Sequence, residues 1–282
     1  MTLRHSTDFG VAVVARIAIW LIILASLVPI YWMVTTSFKD PTAALQIPPN
    51  VIGFAPTLDN YVNLLGGQTT ARGFAPLLVN SVIVAVASTA LALIIGLPAA
   101  YALARVRFHG KRQLAMWILS TTMFPPIVAV IPVFLIAGNA GLIDTYPVLI
   151  VPYTAFNLPL VIWMLRSAIR QIPAEIEESA LVDGSSRLGI MRTMVLPLAA
   201  PGIAAAAVLS VFLSWNEFLF ALTLTRSEVR TAPVGINEFT TMFGTEWGNL
   251  SAGATLVVAP ILVMALLLGR RLVSGLTFGA VK

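Results

Sequence analysis

Residues able to do chemistry are scarce in this chain, and their placement is informative. Twelve carboxylates are spread over 282 residues, and four of them, Glu175, Glu177, Glu178 and Asp183, fall within nine positions. Clustered carboxylates can share protons in acid–base catalysis, hold a hard cation, or offer charge to the basic side chains of another protein. Catalysis needs an enclosed apolar pocket that pushes their pKa values apart, which a solvated loop lacks. A calcium site needs several converging oxygens, and EF-hand spacing is absent. Docking is the use the pattern favours. A further carboxylate, Glu217, sits in "LSWNEFLFALTL", an apolar run where a charge costs on the order of 2.5–3.5 kcal/mol on insertion scales. It must therefore face water, a partner or a cavity. Asn216 and Trp215 beside it add hydrogen-bonding and stacking capacity suited to a sugar, and Asn157 and Asn80 are further polar positions in apolar stretches. Each of these equally suits a hydrogen bond between packed helices.

Other chemistries are poorly provided for. There is no cysteine, and His5 and His109 lie far apart in basic flanking segments, where a solvated or headgroup-facing imidazole is the simple reading. No metal site is expected. No G-x-x-x-x-G-K-[ST] phosphate loop occurs, since Gly110-Lys111 lacks both the earlier glycine and the hydroxyl residue. The chain is expected to bind no cofactor and to hydrolyse no ATP itself.

The elements that must carry these residues are set by composition. Hydrophobic residues make up 58%, charged residues 10%, and the mean hydropathy is +0.92, far from a soluble domain with about 25% charge. A bilayer core about 30 Å thick asks for about 20 apolar helical residues per crossing. Six stretches qualify: Val13–Thr35, Leu77–Ala104, Leu114–Ala137, Tyr146–Leu165, Gly202–Leu224 and Ala252–Leu268. The first is too long for a signal-peptide core and reads as an uncleaved anchor. Prolines 125, 126, 132, 152, 159 and 260 interrupt the spans, which predicts bent helices around a cavity. Thirteen of the 17 Lys and Arg fall on one side of this arrangement; only Lys39, Arg72, Arg226 and Arg230 fall on the other. The positive-inside rule therefore places both termini and the carboxylate cluster in the cytoplasm. The net charge of +5 reports orientation rather than nucleic-acid binding. External loops are expected at about 36–76, with a short helix near Leu58–Leu65, and at about 225–251, which carries Phe239, Met242, Phe243 and Trp247. The chain reads as one all-α membrane domain, 1–282.

The carboxylate loop, about 166–197, should contain a short helix. Pro173 stands at its start, three glutamates occupy its first turns, and Gly184 can end it. Ile176 and Ala180, four apart, share a face. At about ten residues it cannot be stable alone and must pack on something. That partner can be the rest of the chain, or a second protein that Ala180 allows to come close.

Beyond Gly184 the pattern becomes specific. "EESALVDGSSRLGIMRTMVLPLAAPG" resembles the EAA loop of bacterial ABC importer permeases: Glu-Ala-Ala, three residues, Gly, nine residues, then Ile-x-Leu-Pro. Glu178-Ser179-Ala180 fills the triplet, Gly184 the glycine, and Met194-Val195-Leu196-Pro197 the closing element, with Ser179 and Met194 as departures. "TLDNYVNLL", "SWNEFLFAL", "TAPVGINEFT" and the terminal "GLTFGAVK" are similar, in the same order, to the MalG-like carbohydrate-importer permeases. The resemblance implies a type I importer permease fold with six transmembrane helices and a cytoplasmic coupling helix, in a bacterial inner membrane. It implies a second homologous permease, two ATPase subunits that bind ATP and Mg, an external sugar-binding protein or lipoprotein, and membrane lipid as neighbours. Glu178, Ser179, Ala180, Asp183, Gly184, Leu196 and Pro197 would lie at the ATPase contact, with Gly279, Ala280 and Lys282 as further candidates. Trp215, Asn216, Glu217 and Asn157 are candidates for the substrate pathway. An ion-coupled secondary transporter is the alternative, supported only by Glu217.

Overall fold

A computed structural model describes residues 3–66, 73–242 and 244–277, with side chains described from 11 to 266 within those ranges. Arg72, Phe243, Gly279, Ala280 and Lys282 lie outside the described residues. In chain order the helices are α1 (Leu3–Ser37), α2 (Pro41–Ala44), α3 (Asp59–Leu65), α4 (Ala75–Arg105), α5 (Lys111–Ser120), α6 (Pro126–Asn139), α7 (Tyr146–Gln171), α8 (Ala174–Val182), α9 (Arg187–Ile190), α10 (Leu196–Trp215), α11 (Leu219–Leu224), α12 (Ala232–Gly235) and α13 (Trp247–Thr277). Five are long and apolar enough to cross a membrane, α9 and α10 forming one continuous span, and α5 with α6 makes a sixth if the bent pair is one span. The protein is an all-α polytopic membrane protein. The one departure among the described residues is a two-residue hairpin, Thr240–Thr241 with Gly244–Thr245.

Two spans differ from the expected continuous helices. In the third, α5 tightens into a 3₁₀ turn over Thr121–Met123, Phe124 and Pro125 leave helical geometry, and the two helical segments meet at 88°. Pro126 lacks an N–H and bars the preceding residue from the helical region, so Pro125 is extended at ψ 126 and a new helix starts after it. In the fifth, the helix begins at Arg187 rather than Gly202 and stops at Trp215, so Asn216 to Phe218 separates it from α11. A π turn over Met191–Val195 precedes Pro197, with Leu196 donating to the Met191 carbonyl. The wider turn shifts the carbonyls away from a ring that would otherwise meet the one four residues back.

The backbone contacts divide the chain into two compact units. The first holds residues 1–74 and 236–256. Here Lys39 is almost fully buried, its Nζ donating to the Asn50 carbonyl (2.7 Å) and lying 4.4 Å from the Trp32 ring centre. Asn60 donates to the Ser37 and Lys39 carbonyls, and a Cβ at Gly248 would stand 2.6 Å from its Oδ1.

The second unit, 75–235 and 257–282, has α4, α7 and α10 at its centre. With lipid as apolar as leucine, such helices associate through close packing and polar links. A Cβ at Gly202 would meet Ala168 Cβ at 2.4 Å, and one at Gly96 would meet Val161 Cγ1 at 2.9 Å, so helix backbones approach closely at both glycines. Buried polar residues join the three helices: Ser88 with Ser214 (3.0 Å), Thr89 to Ser210 (3.1 Å) and Asn157 to Ser214 (2.7 Å).

Candidate functional site: a docking helix and an intramembrane cavity

The acidic loop folds as its residue types require. Pro173 opens α8, Glu175 and Glu177 occupy the first turn, and Gly184 adopts φ +84. Gly184 donates to Leu181 and Ser185 to Ala180, the paired bonds of a Schellman motif, which needs a left-handed residue and so favours glycine. Ser186 then caps α9, accepting from the Gly189 amide.

The buried side of α8 is not the expected Ile176–Ala180 face. Glu177 and Ala180, three apart, point inward, whereas Ile176 is partly exposed. Glu177 Oε1 accepts from Arg105 Nε (2.6 Å) and its Oε2 from the Tyr101 hydroxyl (2.8 Å), while Arg105 Nη2 donates to the Ile172 carbonyl (2.6 Å). A carboxylate, not an alkyl pair, fastens α8 to α4. Ala180 belongs to the core cluster with Ile190, Val195 and Ala199, so the close approach it permits is made by this chain rather than by a second protein. Glu178, Ser179, Asp183 and Gly184 are exposed, with Leu181 and the 88% exposed Val182 among them. Leu196 and Pro197 stand past the π turn, Leu196 half-buried and Pro197 exposed.

Around the second break lies a cavity of about 200 Å³, lined by Pro126, Tyr153, Phe156, Asn157, Ser214, Glu217 and Phe220 among others. Glu217 is not within a helix. Its two oxygens accept from the Phe220 (3.0 Å) and Ala221 (3.3 Å) amides, satisfying the donors that open α11. Asn157 both lines the cavity and links α7 to α10. The other two pathway candidates do not join them. Trp215 is buried with Nε1 donating to the Val257 carbonyl (3.0 Å), which fixes α10 to α13 and withdraws its ring from stacking. Asn216, just past the end of α10, is exposed and bonds back to the Phe212 carbonyl of that helix. Asn80 donates to the Glu228 and Arg230 carbonyls and accepts from the Tyr146 hydroxyl, a clamp rather than a ligand contact. The residue that the sequence reading missed is Tyr153: 3% exposed, it lines the cavity, and its hydroxyl lies beside the Glu217 carboxylate without a well-formed hydrogen bond among the described residues. Its spacing from Asn157 and Phe156, four and three positions on one helix, was the available signal.

Broken apolar helices around a small, mostly apolar cavity with a few polar groups, and an acidic helix tied to α4, fit a membrane transport component. Residues 92–277 match the family described as binding-protein-dependent transport system inner membrane component, and the chain belongs to that family. It is 40% identical over 269 residues to the trehalose transport system permease protein SugB of Mycobacterium tuberculosis, covering 93% of this chain and 94% of that one. It is 37% identical over 264 residues to the trehalose/maltose transport system permease protein MalG of Thermococcus litoralis, with 93% and 94% covered. Among solved structures, a bacterial ABC transporter involved in import of the acidic polysaccharide alginate shares the fold, with a TM-score of 0.78, 23% identity, and 94% of this chain and 97% of that one covered.

Proposed function

We propose that this chain is one of two permease halves of an ATP-driven carbohydrate importer, and that α8 is the element through which a separate ATPase moves it. The observation that carries this reading is the two-sided construction of α8. Its inner side is tied to α4 by a buried ion pair, so force on the helix is transmitted to a membrane span. Its outer side presents Glu178, Ser179, Asp183, Leu181 and Val182, a mixture of charge and apolar surface suited to a protein cleft. In this reading residues 1–282 act as one permease domain with both termini and α8 in the cytoplasm. An external binding protein delivers a sugar, a class supported by the trehalose and maltose systems of the relatives. The ion-coupled alternative gains nothing from Glu217, whose carboxylate is engaged by two backbone amides.

The passenger's contact with this half would be the cavity. Tyr153 offers a donor, Asn157 and Ser214 offer polar groups, and Phe156 and Phe220, 5.3 Å apart and tilted, offer apolar faces. At ~30 Å³ per water the space holds six or seven waters, about the room of one hydroxylated ring. The coupling role is tested with Glu178→Arg and Gly184→Pro. Proline cannot adopt φ +84, so the second change removes the Schellman turn. Membrane insertion should be unchanged while ATPase co-purification and uptake fall at least about tenfold, a loss of ~1.4 kcal/mol. Normal ATPase retention and uptake in both variants would sink the reading.

A further inference from the structure

The ends of α4, α5 and α7 hold a concentration of positive charge, of which Arg105 alone has a part in the proposed coupling. Arg105, Arg107, Arg166 and Arg170 are all electrostatic neighbours of Lys111. Three of these five cations are partly satisfied by backbone carbonyls at or just past the helix ends. Lys111 Nζ donates to Ala104 (3.3 Å) and Val106 (2.9 Å), Arg166 Nε to Leu103 (3.3 Å), and Arg105 to Ile172. The carboxylate bonded within the group is Glu177, already held by Arg105. Arg107 and Arg170 are exposed, as are Arg112 and His109 nearby. The cluster carries a strong surplus of positive charge at the point where three apolar helices leave the membrane.

The apolar surroundings have an interfacial composition. Trp163 is 42% exposed with the Arg166 guanidinium 5.7 Å from its ring, and Phe108 is 41% exposed. Trp163, Arg166 and Arg170 follow at three and four residues along one face of α7, so an aromatic ring is succeeded by two cations over about 10 Å of helix rise. That order, ring at the hydrocarbon boundary and cations beyond it, matches a phospholipid read from glycerol to phosphate. Basic pockets between membrane helices on the positive side are where acidic headgroups bind.

We propose that Arg107, Lys111, Arg166 and Arg170 form a binding site for the headgroup of an anionic phospholipid, with Trp163 against its glycerol region. The site is separate from the α8 contact and does not depend on what is transported. The test compares the purified full-length membrane complex with an Arg107→Gln/Arg170→Gln variant, two exposed positions away from the carbonyl-bonded cations. Both are placed in nanodiscs of phosphatidylcholine containing phosphatidylglycerol, and lipid retained after detergent extraction is counted by native mass spectrometry. The wild type should retain phosphatidylglycerol several-fold above the variant, while Arg192→Gln, an exposed arginine outside the cluster, should match the wild type. Equal retention by wild type and double variant would overturn the proposal. So would release of the retained lipid by millimolar inorganic phosphate, which would mark a site for small anions. Should the double variant lose thermal stability, Arg170→Gln alone decides the matter, with the same expected drop and the same overturning result.

Discussion

At the scale of single residues, side chains with similar chemistry do different work because their surroundings differ. Glu177 and Glu178 are neighbours in sequence, yet one is buried in an ion pair and the other faces solvent. The composition of the loop announced a cluster of four carboxylates; it did not announce that one of them was an internal fastening. Removing one partner of a buried pair leaves the other charged and unpaired, which costs about 3–5 kcal/mol, more than the pair itself contributes. Glu177→Ala is therefore expected to lower the thermal midpoint of the purified protein more than Glu178→Ala, which should change the stability by no more than about 0.5 kcal/mol. Joint replacement of Glu177 and Arg105 by apolar residues should recover part of the loss. A Glu177→Ala protein as stable as the wild type would show that the pair contributes no fastening. Of the positions that the resemblance to the EAA loop named, Glu178, Ser179, Asp183, Gly184 and Pro197 are exposed, whereas Leu196 is half-buried and Ala180 is interior.

At the scale of elements, helix starts and breaks were only partly legible. The short helices α3 and α8 could be read because proline, acidic first turns and glycine stops are local signals. The break between α10 and α11 was hidden, since no proline or glycine marks Asn216 to Phe218, and an apolar run of 20 residues looks the same whether or not it is continuous. It is sustained by the Glu217 side chain, which takes over the amides that the helix leaves unpaired. A second such device joins loops far apart in sequence. Asp144, at φ 63, accepts from the amides of Arg226, Ser227, Glu228 and Val229, all within 3.1 Å, and its own amide donates to Leu224. Burial alone would raise its pKa, but the four amides outweigh this and hold it at about 2, below the usual 3.8. Because the folded value is the lower one, the stabilisation is complete above about pH 4 and is lost as pH falls from there toward 2. The partial exposure of the group limits the effect to the order of 1–2 kcal/mol. Asp144→Asn should flatten the acid limb of a thermal-stability profile between those pH values; an unchanged limb would remove the clasp from the account.

At the scale of the whole molecule, hydropathy and charge asymmetry were enough for an all-α membrane protein, because the bilayer admits few alternatives and every crossing must satisfy its own backbone. They could not reveal which polar residues meet, since that depends on helix rotation and on breaks. Trp215 and Asn216 immediately precede the cavity-lining Glu217 in sequence and are both turned elsewhere, while Tyr153, more than 60 positions earlier, shares its cavity. An unpaired buried hydroxyl costs about 1–3 kcal/mol. Tyr153→Phe should accordingly leave the substrate-free protein as stable as the wild type or slightly more so. On the proposed function, with the hydroxyl serving a passenger, the same change should raise the transport KM several-fold for the imported sugar in the reconstituted system, with binding to the external receptor and basal ATP hydrolysis unaffected. A stabilised variant with unaltered KM and kcat would leave Tyr153 as an uncompensated packing residue and move sugar recognition to the other permease. Loss of stability on removing the hydroxyl would instead mean that it is satisfied within the fold by the neighbouring Glu217 carboxylate, and it would not be available to a passenger.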